Sequence, residues 1–194
     1  MSRLQHSLVI PAYNEAGRIA ETLADLAEYL QTETARQWSW QLIVVCDGCR
    51  DGTHAVVSRF ADKLPLQVIS YPVNRGKGYA VRQGIARSTG HIVTFMDADG
   101  AVPVHEWERL AEPILMKTAD VVIGSRRATD ATVYPRQSAY RTILGRCFAL
   151  YTRLVLNLRF LDTQCGFKLF HGPTARALFS SLRCDGFADR KSVV

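Results

Sequence analysis

Five short apolar runs punctuate the first 123 residues, and helical periodicity fills the gaps between them. The runs are Ser7-Leu8-Val9-Ile10, Gln41-Leu42-Ile43-Val44-Val45, Leu66-Gln67-Val68-Ile69-Ser70, His91-Ile92-Val93-Thr94-Phe95-Met96 and Val121-Val122-Ile123. Short runs rich in β-branched residues predict strands, the first closed by Pro11. Helices are predicted from about Glu15 to Leu30, with Ile19, Leu23, Leu26 and Leu30 on one face, then over Asp51–Phe60, Tyr79–Arg87 and Val104–Lys117. A helix between two strands is the connection that parallel pairing requires. The expected fold class is therefore α/β, a mostly parallel central sheet flanked by helices. Such sheets bind ligands at the carboxyl ends of their strands.

After Gly124 the alternation stops. Residues 126–138 read as a loop, and a long helix is predicted from about Tyr140 to Leu158. Its apolar positions, among them Ile143, Leu144, Phe148 and Leu154, cover more than one face, interrupted by Arg141, Arg146, Arg153 and Arg159. A core helix and a helix lying on a membrane surface with snorkelling arginines both satisfy that pattern. Charge follows the same boundary. Residues 1–123 carry 12 Lys/Arg against 14 Asp/Glu, and residues 124–194 carry 12 against 4, so the net +6 belongs to the last third. A basic third is either a solvated surface or a face for something anionic. Nucleic acid is excluded as the expected partner, because no helix-turn-helix, zinc-finger or RNP-type pattern is present. With 194 residues, one domain spanning 1–194 is expected. Five cysteines without framework spacing point to a reducing, cytoplasmic setting. Met1 to His6 leads into a strand pattern rather than a secretory signal, and no run reaches the ~18 apolar residues of a spanning helix.

Chemistry-bearing residues follow successive strands, which is how one cleft is built. The fourth strand ends in Asp97-Ala98-Asp99-Gly100. Asp and Gly are ordinary turn formers, yet two carboxylates at a sheet rim also suit Mg²⁺ or Mn²⁺ carrying a diphosphate. Pro11-Ala12-Tyr13-Asn14-Glu15 follows the first strand. There Tyr13 offers a ring for a nucleobase, and Asn14 or Glu15 a cap for the next helix. Cys46-Asp47-Gly48-Cys49-Arg50-Asp51-Gly52-Thr53 follows the second. Asp47 is placed to accept from a base N–H and Asp51 to cap a helix, while a redox pair of Cys46 and Cys49 is disfavoured by the adjacent acids. Asn74-Arg75-Gly76-Lys77-Gly78 joins two cations to two glycines before a helix, an arrangement that favours anions. Gly124-Ser125-Arg126-Arg127 adds two more cations after the fifth strand.

Taken in order, these motifs resemble family-2 glycosyltransferases of the GT-A fold, over about residues 7–187. Asp162-Thr163-Gln164-Cys165-Gly166-Phe167-Lys168-Leu169-Phe170 is similar to the corresponding stretch of dolichyl-phosphate glucose synthases. The resemblance implies a metal-dependent, inverting hexosyltransferase that moves glucose from UDP-glucose to a polyprenyl phosphate, with Mg²⁺ or Mn²⁺ as cofactor. It assigns residues 1–123 to the nucleotide sugar and 124–194 to the acceptor, with a C-terminus shorter than in that family. It implies that Pro11, Tyr13, Glu15, Asp47, Arg75, Lys77 and Asp97 hold the nucleotide sugar and that Asp99 holds the metal. Asp99, Arg126 and Asp162 become the catalytic candidates, and Arg136, Arg141 and Lys168 the candidates for the acceptor phosphate. It implies a peripheral location at the inner face of a membrane, and a homodimer is left open. Two departures stand out: Cys46 replaces an aspartate common in the family, and the chain stops soon after Asp185. The alternatives are a polysaccharide or glycan glycosyltransferase with a hydroxyl acceptor, and a truncated nucleotide-binding relative without turnover.

Overall fold

The structure, a computed structural model, describes residues 4–124, 165–183 and 185. The predicted helix over residues 140–158 and the candidates Arg126, Arg136, Arg141 and Asp162 lie outside the described residues. Among the described residues six strands form one sheet: β1 (Gln5–Ala12), β2 (Ser39–Asp47), β3 (Leu66–Tyr71), β4 (Ile92–Met96), β5 (Val121–Ile123) and β6 (Phe167–His171). Their order is β3-β2-β1-β4-β6-β5. The β1–β2, β2–β3 and β1–β4 pairs are parallel, whereas β6 runs antiparallel to both β4 and β5. Among the described residues six helices flank the sheet: α1 (Ile19–Tyr29), the short α2 (Glu33–Arg36), α3 (Thr53–Ser58), α4 (Lys77–Ala86), α5 (Glu106–Leu115) and α6 (Gly172–Ser181).

Strand alternation sends successive side chains to opposite faces, and each face has its own core. Leu8, Ile10, Leu42 and Val44 pack with Ile19, Leu23 and Leu26 of α1 and with Trp107 and Ile114 of α5. Val9, Ile43, Val45, Val93 and Phe95 pack with Val81 and Ile85 of α4 and with Ala175 and Phe179 of α6. Burying each of these side chains contributes about 1.5–3 kcal/mol, which explains why the central strands read as continuous apolar runs. The chain steps outward from β1 to β2 and β3, then returns to β4 on the other side of β1. That reversal opens a crevice at the carboxyl ends of β1 and β4, where Tyr13 and Asp97 follow.

The structure departs from expectation in several elements. Residues 167–171, quoted above only within a motif, form the antiparallel strand β6, which separates β4 from β5. Regular helix in α1 starts at Ile19 rather than Glu15, because residues 15–18 make a turn in which Arg18 and Ile19 both donate to the Glu15 carbonyl. Pro11 does not close its strand; it pairs with Val45 inside β1 and is buried. A proline fits there because the β1–β4 ladder ends at Val9–Phe95, so one side of β1 no longer needs a donor. Burial also removes Pro11 from the surface expected to flank a base.

At the opposite edge of the sheet, His6 is fully buried between Trp107, stacked at 4.5 Å, and Trp40, edge-on at 4.4 Å. The Trp107 indole N–H donates to His6 Nε2 at 2.9 Å, which requires a neutral ring with its proton on Nδ1. Burial accordingly holds the His6 pKa well below its usual value. The unfolded chain takes up this proton near pH ~6.5 and the folded chain does not, so stability is lost as pH falls below that point. The expected slope from this residue is about 1.4 kcal/mol per pH unit until the folded-state value is reached. Thermal melts from pH 7.5 downward should therefore show a steeper fall for the wild type than for His6→Gln. Parallel curves would show that His6 ionises freely in the folded protein.

Candidate active site

Four loops meet at the carboxyl edge, and side chains of one hold the backbone of the next. After β1, Asn14 adopts a left-handed conformation with φ 54°, and its Oδ1 accepts the Arg50 N–H at 2.9 Å. The Glu15 N–H donates to Thr53 Oγ1 at 2.8 Å, and the Ala16 N–H to Asp51 Oδ2 at 3.1 Å. Asp51 also accepts the Thr53 N–H at 2.9 Å and the Thr53 hydroxyl, but the cap position of α3 is Gly52 and carries no side-chain cap, so Asp51 braces the loop just before the helix rather than capping it as expected. These hydrogen bonds, the Thr53 hydroxyl first, hold its carboxyl below the usual range. Asn14 thus ties two loops together instead of capping α1. Tyr13 beside it is 47% exposed, leaving its ring open to a ligand.

Asp47, at the end of β2, is only 2% exposed. Its Oδ1 accepts the Arg75 N–H at 2.7 Å; its Oδ2 accepts the Gly76 N–H at 2.9 Å and Asn74 Nδ2 at 3.1 Å. Sequence reasoning put this carboxylate on a base N–H; the structure puts it under the loop that follows β3. Gly48 makes that approach possible. Its φ is +64°, and a Cβ there would fall 2.2 Å from the Asn74 backbone nitrogen. Tyr71 lies close by, its phenol pushed up by burial and then by the Asp47 carboxylate. Cys46 is buried and its thiol is pushed up to about 12, by burial first and then by Cys49 and Asp51. A thiol so reluctant to ionise is no redox nucleophile, and burial contributes more to this than the acids do.

After β3, the Arg75 guanidinium stacks 4.2 Å from the Tyr79 ring centre and donates to its hydroxyl at 3.1 Å. Lys77 opens α4 and pairs with Asp97 Oδ1 at 2.7 Å. The turn after β4 is held by three bonds. Asp97 N–H donates to the Gly166 carbonyl at 3.0 Å, Gly100 N–H to the Asp97 carbonyl at 3.3 Å, and the Thr22 hydroxyl to the Ala98 carbonyl at 2.9 Å. Asp99 is exposed and accepts the Ala101 N–H at 3.2 Å. Burial raises the Glu15 pKa; the charges of Asp99 and Asp97 add to the effect and Arg18 opposes it. Glu15 and Asp99 therefore share a negative rim that a cation would relieve. No cluster of three or more metal-ligating side chains occurs among the described residues. The rim fits a divalent ion held by few protein oxygens and completed by a diphosphate, the usual Mg²⁺ pattern.

Lys168, expected at an acceptor phosphate, sits on β6, 2% exposed, with its ammonium 5.0 Å from the Phe95 ring centre. The structure thus brings Tyr13, Glu15, Arg75, Lys77, Asp97 and Asp99 to one edge and leaves Pro11, Asp47 and Lys168 beneath the surface. Sequence reasoning missed Asn74, Tyr79 and Gly166 as site builders. The spacing of Arg75 and Tyr79, four apart across a helix start, was the available signal for one of them.

The pattern that defines glycosyl transferase family 2 matches residues 7–179. The chain belongs to glycosyl transferase family 2. It is 35% identical over 185 residues to a dolichyl-phosphate beta-glucosyltransferase of Trichomonas vaginalis, covering 92% of this chain and 55% of that protein. It spans 55–60% of the length of the curated relatives it matches. Two solved structures show the same GT-A fold. Glucosyl-3-phosphoglycerate synthase from Mycobacterium tuberculosis, solved in complex with uridine diphosphate, aligns with TM-score 0.67 at 22% identity, over 96% of this chain and 62% of that one. Mannosyltransferase PcManGT from Pyrobaculum calidifontis, in complex with GDP-Man and Mn²⁺, aligns with TM-score 0.59 at 23% identity, over 88% and 45%.

Proposed function

We propose that this chain transfers glucose from UDP-glucose to a polyprenyl phosphate with inversion at the anomeric carbon. The observation that carries the proposal is the likeness to a dolichyl-phosphate beta-glucosyltransferase over 92% of the chain. The exposed Asp99 beside Glu15, and the cations of the loop over residues 74–77, supply the chemistry. Tyr13 offers its ring to the uracil, and Arg75 and Lys77 face the donor. Asp99 would hold Mg²⁺ or Mn²⁺, with the nucleotide completing its coordination. When bound, that ion neutralises charge on the departing nucleotide, the contribution that dominates many such transfers. An acceptor phosphate oxygen forms the new bond to the anomeric carbon as the bond to UDP breaks. Because a phosphomonoester is already anionic, with a second pKa near ~6, no strong general base is required. Arg126 is proposed to assist the leaving group, and Arg136 and Arg141 the acceptor phosphate, with Asp162 orienting them; Lys168, buried on β6, is not assigned to that phosphate. Action at the inner face of a membrane belongs to the same proposal; no described helix is long and apolar enough to cross one.

The deciding experiment supplies UDP-[¹⁴C]glucose, polyprenyl phosphate and Mn²⁺ or Mg²⁺ and follows label into organic solvent. Lipid labelling from UDP-glucose, lost with chelator, is the expected result. Labelling of a free saccharide instead, with none in the lipid, overturns the acceptor assignment.

A further inference from the structure

We propose that Asp47 is a positioning residue of the donor site: it fixes the loop over residues 74–77 from below and does not read the base. The proposal rests on the nucleotide-sugar reading of the site. A residue that reads a base must present free hydrogen-bonding atoms to the crevice. Asp47 is 2% exposed, and both carboxylate oxygens are spent on the loop, at 2.7 Å to Arg75 N, 2.9 Å to Gly76 N and 3.1 Å to Asn74 Nδ2. Asn74 Nδ2 also donates to the Asp47 carbonyl, at 3.2 Å. Hydrogen bonds from neutral donors to a buried carboxylate are among the stronger ones in proteins. Gly48 beside Asp47 packs against the same loop, where a Cβ would lie 2.5 Å from the Val73 carbonyl carbon.

What the loop delivers is charge. Arg75 leaves it toward the Tyr79 ring at 4.2 Å, and Lys77 reaches Asp97 at 2.7 Å. Asp47 thus acts on a nucleotide through two cations that it does not itself touch. Its loss should weaken every nucleoside diphosphate alike, because phosphate is common to all of them.

Uracil and cytosine separate this role from base reading. Uracil N3 carries a hydrogen and cytosine N3 does not, so an aspartate bound to N3 would favour UDP over CDP, and asparagine there would shift the preference toward CDP. Titrating wild type and Asp47→Asn with UDP, CDP and GDP in Mn²⁺, alongside amide exchange at residues 75 and 76, is the test. Affinity for all three should fall about tenfold or more, with the UDP-to-CDP ratio held within about twofold and faster exchange at both amides. Asn74→Ala, which removes a donor to Asp47 from an exposed position, should produce a smaller, equally base-blind loss if Asp47→Asn does not fold. A UDP-to-CDP ratio that moves about tenfold or more while loop exchange stays slow overturns the proposal, as do unchanged affinities. A wild type that binds none of the three nucleotides removes the donor reading and this role together. That outcome is recognisable because base selectivity never enters it.

Discussion

Asp99→Ala is expected to lower the proposed glucosyl transfer by about 10²–10³-fold while the melting temperature barely moves, by analogy with the loss of one preorganised charge-stabilising group. The two halves of that expectation have separate causes. Asp99 is exposed and accepts the Ala101 N–H at 3.2 Å, a surface contact whose loss typically costs less than about 0.5 kcal/mol. The other two carboxylates of the rim are already engaged, Asp97 with Lys77 at 2.7 Å and Glu15 with Arg18 at 2.7 Å. Removing the Asp99 charge should also let the Glu15 pKa fall, because Asp99 is one of the charges raising it. Calorimetric titration with UDP, with and without Mn²⁺, reads the metal link directly. If Asp99→Ala binds UDP with wild-type affinity and keeps its response to Mn²⁺, the ion is held elsewhere.

The parts of this site that were legible in the sequence are those whose signal is local. The apolar runs of β1, β2 and β4 announce buried strands because both faces of the sheet are covered. Their order then places Tyr13 and Asp97 at one edge. Strand β6 stayed hidden because Lys168 breaks its apolar run, and the accommodation of a buried lysine there, the Phe95 ring at 5.0 Å among its partners, comes from elements distant in sequence. Its antiparallel place between β4 and β5 depends on a long-range return of the chain that no window of residues encodes. The role of Asp47 was hidden for a related reason: its donors lie 27 to 29 residues away. An aspartate at a strand end looks the same in sequence whether it faces a ligand or the underside of a loop. Pro11 misled in the opposite way, since a proline normally ends a strand unless the neighbouring ladder has already stopped.

Gly166→Ala is the second large effect, and it should separate the site from the fold. A Cβ on residue 166 would stand 2.1 Å from Asp97 Oδ2 and 2.3 Å from its Cγ. The backbone at 166 has little room to yield, because Cys165 and Phe167 on either side are buried and its carbonyl accepts the Asp97 N–H at 3.0 Å. The Asp97 side chain must therefore turn away, breaking its contact with Lys77. Overpacking of this kind costs about 1–3 kcal/mol, so the variant should still fold, with a melting temperature lower by several degrees. Donor affinity should drop about tenfold or more, since a pair of charges at the centre of the rim has lost its geometry. The double variant Asp97→Ala with Gly166→Ala completes the cycle. Removing the carboxylate relieves the clash, so the melting temperature should recover toward that of Asp97→Ala alone while donor affinity does not. Wild-type donor affinity in Gly166→Ala would mean that the Asp97–Lys77 pair has no part in holding the nucleotide sugar.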